Sequence, residues 1–433
     1  MSVVSGKRIQ DCRLFPGSFC FRMRGTMTAV LPAAVTSDLP PLRLKKREER
    51  RLRAGHLWVY SNEVDAARTP LSAFEPGDQV EIQAYNGKPL GTGYVNPHSL
   101  ICARLVSRDR RHRLDRSLLV HRLNIALSLR ERLYGGRPFY RLVHGEADGL
   151  PGLVVDRFGD YLSVQLTTAG MDRVREQVLE ALHKVLKPRG VVLRNDVGVR
   201  AMEGLPSSVE TIGEVPEEVE VMEDEARFVT SLTRGQKTGW FYDQPDNRRR
   251  LERYVRGARV LDLFAYAGAW AVRALLAGAE SALCVDASGT ALEKAGANAA
   301  RNGVSDRLEV REGDAFEVLR ALREAGERFD IVVCDPPAFV KRRKDLKAGS
   351  EAYRRLAGQA MTLLGRDGIL VSCSCSFHMD EADFRRLHLR AARHLGRDLQ
   401  LLERGGQSAD HPVHPAIPET EYLKALFFRV LAA

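Results

Sequence analysis

The chain has 433 residues, 44% hydrophobic and 28% charged, which is the composition of a folded protein of two or three domains and excludes a fibrous or disordered chain. Its formal net charge of +10 favours an anionic partner, nucleic acid first, although a basic surface kept for solubility gives the same balance. No apolar run approaches the roughly 20 residues of a membrane-crossing helix, and seven scattered cysteines without framework spacing fit a reducing, cytoplasmic setting.

Residues 1–39 are poor in acids and interrupted by Pro16, Gly17 and Pro32, so a disordered extension is expected, with Met23 or Met27 as alternative starts. Residues 40–112 read as a small β-rich module. A basic run from Lys45 to His56 leads into LWVYS. A Pro76-Gly77-Asp78 turn precedes alternating Val80 and Ile82, and Asn86-Gly87 predicts a type I′ hairpin turn. Residues 113–226 open with a helix from the cap Asp115 to Leu133, with Gly135 beyond it. Leu119, Leu123, Ala126, Leu127 and Leu133 give that helix an apolar face. Arg110, Arg111, Arg113 and Arg116 crowd its start against the helix dipole, either as a solvated cluster or to meet phosphates. The pattern then becomes strand, strand, helix, strand, strand, with a hairpin about Phe158-Gly159-Asp160 and a helix from Val174 to Leu186. The acidic stretch Glu214 to Glu225 reads as a solvated hairpin or boundary.

Residues 227–433 alternate strand and helix, which implies a parallel sheet covered on both faces. Ligands bind such sheets outside the carboxyl ends of the strands. The first strand, in VLDLFAYAG, ends at Asp262 and Phe264 and runs through Tyr266 to Gly268. This loop lacks the GxGxxG glycines that bring backbone amides to a pyrophosphate, so it suits a ligand without phosphate, S-adenosylmethionine. The second strand ends in Asp286, near Ser288, placed for ribose hydroxyls; the third ends in Asp314 and Ala315, suited to an adenine edge. Helix capping by Asp286 and Asp314 is the plainer alternative.

The fourth strand ends in Asp335-Pro336-Pro337-Ala338-Phe339, where two prolines fix an extended turn that aims Asp335 at a planar base. Phe339 offers a face for an extruded base, and Lys341, Arg342, Arg343, Lys344 and Lys347 follow, to meet phosphates or to stand in solvent. The fifth strand ends in Ser372-Cys373-Ser374-Cys375-Ser376. A thiolate there could add to C6 of cytosine and make C5 nucleophilic toward a sulfonium methyl. Buried structural cysteine is the competing reading; metal ligation by Cys373, Cys375 and His378 matches no common zinc spacing, so no metal is expected.

With these residues in place, the chain resembles the RlmI-like (YccW-like) bacterial 23S rRNA 5-methylcytosine methyltransferases from Leu42 onward. The resemblance rests on GHLWVYSNEV, HGEADGLPGLVVDRFGD, GQKTGWFYDQPDNR, DLFAYAG, CDPPAFVK, the serine-flanked Cys375, DHPV and PETEYLKAL. It implies an α/β protein with a C-terminal Rossmann-like class I methyltransferase domain, preceded by a small β-rich PUA domain and a central α+β domain. It further implies that Cys375 attacks, that Asp335 steadies the cytosine, and that Lys237, Thr238 and Asp243 order a segment lying over the cofactor. The implied partner is 23S rRNA or a large-subunit particle, with a homodimer compatible. Ala338 and Cys373 depart from the family pattern. Two rivals stay open: guanine methylation by a related domain without a thiol, and an RNA-binding assembly factor with a vestigial cofactor site.

Overall fold

The computed structural model describes residues 38–235 and 238–432. The expected N-terminal extension, apart from Asp38 and Leu39, and Lys237 therefore lie outside the described residues. Among these no helix is long and apolar enough to cross a membrane.

The first sheet contains β1 (Pro41–Arg43), β2 (Trp58–Val59), β3 (Asp78–Gln83), β4 (Pro89–Val95) and β5 (Ala103–Ser107), in the order β1-β3-β4-β5-β2. Leu42, Val59, Val80, Ile82 and Leu105 form its small core. The turn joining β3 and β4 is not type I′, because Gly87 is left-handed at φ 83° and Asn86 is not. Ala84 N donates to Lys88 O and Gly87 N donates to Ala84 O, both at 2.9 Å. This longer turn with a left-handed glycine adds the bulge that shifts the register between Ile82 and Gln83.

The second sheet contains β6 (Phe139–His144), β7 (Leu153–Phe158), β8 (Tyr161–Leu166), β9 (Gly190–Arg194) and β10 (Val209–Gly213), ordered β10-β9-β8-β7-β6. The edge strand β6 is additional to the expected strand–strand–helix–strand–strand pattern. Helices Arg116–Tyr134 and Arg175–Leu186 pack on this sheet through Leu119, Leu123, Ala126, Val178 and Leu182. Asp115 caps the first of them, accepting from Leu118 N at 2.9 Å, and Gly135 ends it in the left-handed region. Leu133, expected on the apolar face, is 40% exposed. The buried stripe runs instead through Arg130, which is fully buried and paired with Asp148 at 2.6 Å. The arginines before the helix are matched by carboxylates: Arg110 by Glu81, Arg111 by Asp109, Arg113 by Asp38 and Arg116 by Glu180. Each can still face solvent, but the cluster is locally neutralised rather than an open phosphate patch.

The acidic stretch forms a hairpin of β11 (Val219–Glu223) and β12 (Ala226–Thr230), and it is not simply solvated. Val219 and Val221 are buried, and Glu223 is buried against Arg248 and Trp240. One apolar core runs from Phe158 and Val192 through Val221 and Phe228 to the large sheet.

That sheet contains β13 (Arg259–Leu263), β14 (Ser281–Asp286), β15 (Leu308–Glu312), β16 (Phe329–Cys334), β17 (Leu364–Ser374), β18 (Arg397–Gly405) and β19 (Lys424–Ala432). Its order is β15-β14-β13-β16-β17-β19-β18, parallel except that β19 runs antiparallel to both neighbours. Val260, Val333, Val371 and Phe427 join one core, while Leu261, Val332, Leu370 and Leu426 join the other. Alternate residues thus bury opposite faces, which is why these strands read as continuous apolar runs rather than as an alternation. A helix from Leu346 to Leu363 leads into β17. The strand order reverses between β13 and β16, and the crevice at their carboxyl ends is the natural ligand position.

Candidate cofactor and base site

The loop after β13 turns sharply without glycine. Phe264 and Tyr266 are both left-handed, at φ 62° and 49°, a conformation that costs about 1–3 kcal/mol for such residues. Neighbours hold it in place. Ala265 N donates to Val285 O at 3.1 Å, and Tyr266 N donates to Asp286 Oδ2 at 2.9 Å. Gly268 (φ 74°) has a packing reason, since a Cβ there would meet Ala295 Cβ at 2.8 Å. It lets the helices Ala269–Leu276 and Gly289–Arg301 approach.

Asp262 is fully buried; Oδ2 accepts from Ala271 N at 3.3 Å, and Oδ1 has no hydrogen-bond partner among the described residues. Burial, and then the neighbouring Asp335 carboxylate, push its pKa up to about 8. Asp286 uses one oxygen on Tyr266 N and the other on Ser288 N, so it orders the loop whose end it also faces. Ser288 caps the next helix through Ala291 N. Asp314 is exposed and caps the helix Ala315–Glu324 through Phe316 N and Glu317 N, while Ala315 is buried behind it. The capping alternative is thus physically present at Asp314, whose carboxylate can still accept further hydrogen bonds.

The segment before β13 folds over this loop. Gly239 O accepts from Thr230 Oγ1 (2.5 Å) and Tyr266 OH (3.1 Å), and the Phe241 and Tyr266 rings meet edge to face at 5.4 Å. Thr238 is buried beside it. Asp243 faces the other way: Oδ2 accepts from Tyr422 OH at 2.6 Å, and its carbonyl accepts from Ser408 N at 3.0 Å. The next residue, Gln244, donates to both oxygens of Asp335 at 3.0 and 2.9 Å, and Trp270 Nε1 adds a third bond at 3.1 Å. The carboxylate is thereby locked in one rotamer.

The Asp335–Phe339 turn and the end of β17 are tied together. Val340 N donates to Ser376 Oγ at 3.1 Å, and the Tyr353 hydroxyl meets Ser374 Oγ and Ser376 Oγ at 2.9 and 3.0 Å. Phe339 packs on the Tyr353 ring with centroids 4.7 Å apart and stays partly exposed. Lys341, Arg342, Arg343, Lys344 and Lys347 follow and are exposed; Arg342 also bonds Asp345. Cys375 lies just past the strand and is partly exposed, whereas Cys373 is fully buried in the core, where burial holds its thiol well above the ordinary range. The two thiols therefore differ in access.

Residues that the motifs did not single out complete the site: Gln244, Trp270, Tyr353, Tyr422 and Lys424. Gln244, Tyr422 and Lys424 lie inside quoted motifs, so their position was visible but not their target, and Trp270 stands two residues beyond DLFAYAG. Tyr353 carried no signal, because a tyrosine on an amphipathic helix reads as core. Tyr422 arrives from a segment docked elsewhere: Asp410 in that segment accepts from Arg141 N at 2.8 Å, and its carbonyl accepts from Arg130 at 2.6 Å.

Residues 173–429 match the S-adenosylmethionine-dependent methyltransferase family, and residues 42–108 match a PUA-like domain. The chain belongs to the S-adenosylmethionine-dependent methyltransferases. It is 36% identical over 400 residues to ribosomal RNA large subunit methyltransferase I of Klebsiella pneumoniae, covering 91% of this chain and 99% of the relative. It is 37% identical over 393 residues to the protein of that name in Aeromonas salmonicida, covering 89% and 98%. A solved structure described as a methyltransferase complexed with SAH shares the fold, with TM-score 0.78 and 20% identity over 90% of this chain and all of that one. The methyltransferase fold thus accounts for the sheet order and the crevice.

The site residues fit S-adenosylmethionine, a ligand with ammonium and sulfonium charges. Asp262 carries the clearest sign, a buried carboxyl with an unsatisfied oxygen. A bound cation favours its ionised form, so cofactor binding near pH 7 is expected to release a proton from it. Affinity should then rise with pH up to about 8 and level off. Calorimetry in two buffers of different ionisation enthalpy checks this; equal apparent enthalpies would refute it. The linked stability has the opposite sense: with a folded pKa raised above the unfolded value, the stabilisation is present at acid pH and is lost as pH rises to about 8.

Proposed function

We propose that this methyltransferase forms 5-methylcytosine in large-subunit ribosomal RNA, with Cys375 as the attacking thiol. The observation that carries the reading is the partly exposed Cys375, tied through Ser374, Ser376 and Tyr353 to the turn that bears Asp335 and Phe339. The relatives named above are called ribosomal RNA methyltransferases, and the PUA-like domain supports an RNA substrate.

In this reading Cys375 Sγ bonds to C6 of a cytosine held out of the RNA, and C5 becomes enamine-like. The Asp262 to Gly268 loop and Asp286 would hold S-adenosylmethionine, which would supply an electrophilic methyl to C5 as its sulfonium–methyl bond breaks and a neutral thioether leaves. A base then removes the C5 proton, the C6–Sγ bond breaks, and the thiolate is regenerated. Asp335, fixed by Gln244 and Trp270, accepts from the 4-amino group and orients the ring. Phe339 offers a stacking face, and Lys341, Arg342 and Arg343 meet flanking phosphates. The direct experiment is mass-spectrometric mapping of rRNA nucleosides from cells with and without the gene. One 5-methylcytosine in the large-subunit RNA should disappear without it; an unchanged level would contradict the proposal.

A further inference from the structure

We infer that Lys424 is the positioning residue that sets the ionisation of Cys375, its ammonium held across the β17–β19 pair beside the thiol. Lys424 opens β19 and stands opposite Ser374 in antiparallel register. Cross-strand partners place their side chains on the same face of a sheet. Lys424 Nζ donates to Ser376 O at 2.7 Å, so its stem passes the end of β17 and the charge is fixed on the residue next to Cys375. The side chain is partly buried, and one carbonyl does not replace the hydration of an ammonium. Desolvation accordingly lowers Lys424 to about 8, with Cys375 the largest opposing influence. A thiolate is the anion that completes this arrangement.

Among the described residues, the two phenols around the pair do not supply that charge. Tyr353, from the helix Leu346–Leu363, and Tyr422, before β19, both act on Cys375 electrostatically. Burial raises both phenols, so they stay neutral at pH 7, and their hydroxyls are bonded to Ser374 and Asp243 respectively. Cys373 is buried, and burial and the Asp335 carboxylate both oppose its ionisation. Glu421, Asp380 and Glu381 act on Lys424 and favour its protonated form. When thiol and amine share one proton, it leaves Sγ for Nζ and gives the ion pair; nothing else is consumed.

The catalytic use of this thiolate rests on the cysteine mechanism proposed above, but its existence does not. The test is alkylation of the whole protein by iodoacetamide across pH, without RNA or cofactor, read from the mass of the Cys375 peptide. The wild-type midpoint should lie below the ordinary thiol value of about 8.5. Lys424→Gln should raise it by about one pH unit, a roughly tenfold loss of alkylation rate near pH 7, and Lys424→Arg should keep most of the depression. A wild-type midpoint at or above 8.5 overturns the inference even if the glutamine variant does not fold. So does an unmoved midpoint in a folded Lys424→Gln. A depressed, lysine-dependent midpoint together with an active Cys375→Ala enzyme would sink the covalent mechanism and leave this inference standing.

Discussion

Cys375→Ala is expected to reduce methyl transfer to cytosine by about a thousandfold or more while cofactor affinity stays within about twofold. In the proposed mechanism the loss is large because the thiol would make the bond that activates C5, and neither of the nearby cysteines is placed to replace it. Cys373 lies two residues away but is fully buried, and burial holds it protonated. Cys334 is likewise buried with its thiol pushed up. Cofactor affinity should survive because the residues assigned to it lie on the loops after β13, β14 and β15 and on the segment before β13, not at the end of β17. The measurement pairs single-turnover methylation of rRNA with a calorimetric titration of S-adenosylmethionine. Undiminished turnover would instead favour a transfer that needs no thiol, such as guanine methylation.

Removing one partner of the Glu223–Arg248 pair is expected to lower stability by about 3–5 kcal/mol. Both side chains are buried, and Arg248 bonds both oxygens of Glu223, to which Trp240 Nε1 also donates. Glu223→Ala therefore leaves a buried guanidinium without its counter-ion, and Arg248→Ala leaves a buried carboxylate. The guanidinium also lies 5.8 Å from the Trp240 ring and 6.0 Å from that of Trp270, which bonds Asp335. The break should therefore reach the active site as well as the hairpin. Denaturant unfolding of both single variants and of Glu223→Leu with Arg248→Met provides the check. The apolar double variant should recover most of the loss; single variants within 1 kcal/mol of wild type would refute the account.

Much of the catalytic half was legible because its determinants are local. The central parallel strands bury both faces, so β13, β14 and β16 appear as short apolar runs, each with an acid at or near its carboxyl end. Asp262, Asp286 and Asp335 could be located in this way. The chemistry of Cys375 was readable as a possibility, since a serine-flanked cysteine at a strand end is visible in one dimension. The turn at Asn86-Gly87 was misread because hairpin length depends on the register of β3 against β4. The acidic stretch was misread because composition does not show which carboxylate faces a distant arginine.

The sequence alone determined the order of the elements, the both-faces-buried sheet, the strand ends at which a cofactor can bind, and the residue type able to attack a base. Those features depend on periodicity and on chemistry carried by contiguous residues. Tertiary structure decided what each polar group does. It assigned Gln244 and Trp270 to Asp335, Tyr353 to the serines flanking Cys375, and Lys424 to Ser376. It also separated an accessible Cys375 from a buried Cys373 two residues away. The physical reason is that burial and hydrogen-bond pairing are set by segments remote in the chain, and these govern a side chain's charge, access and orientation.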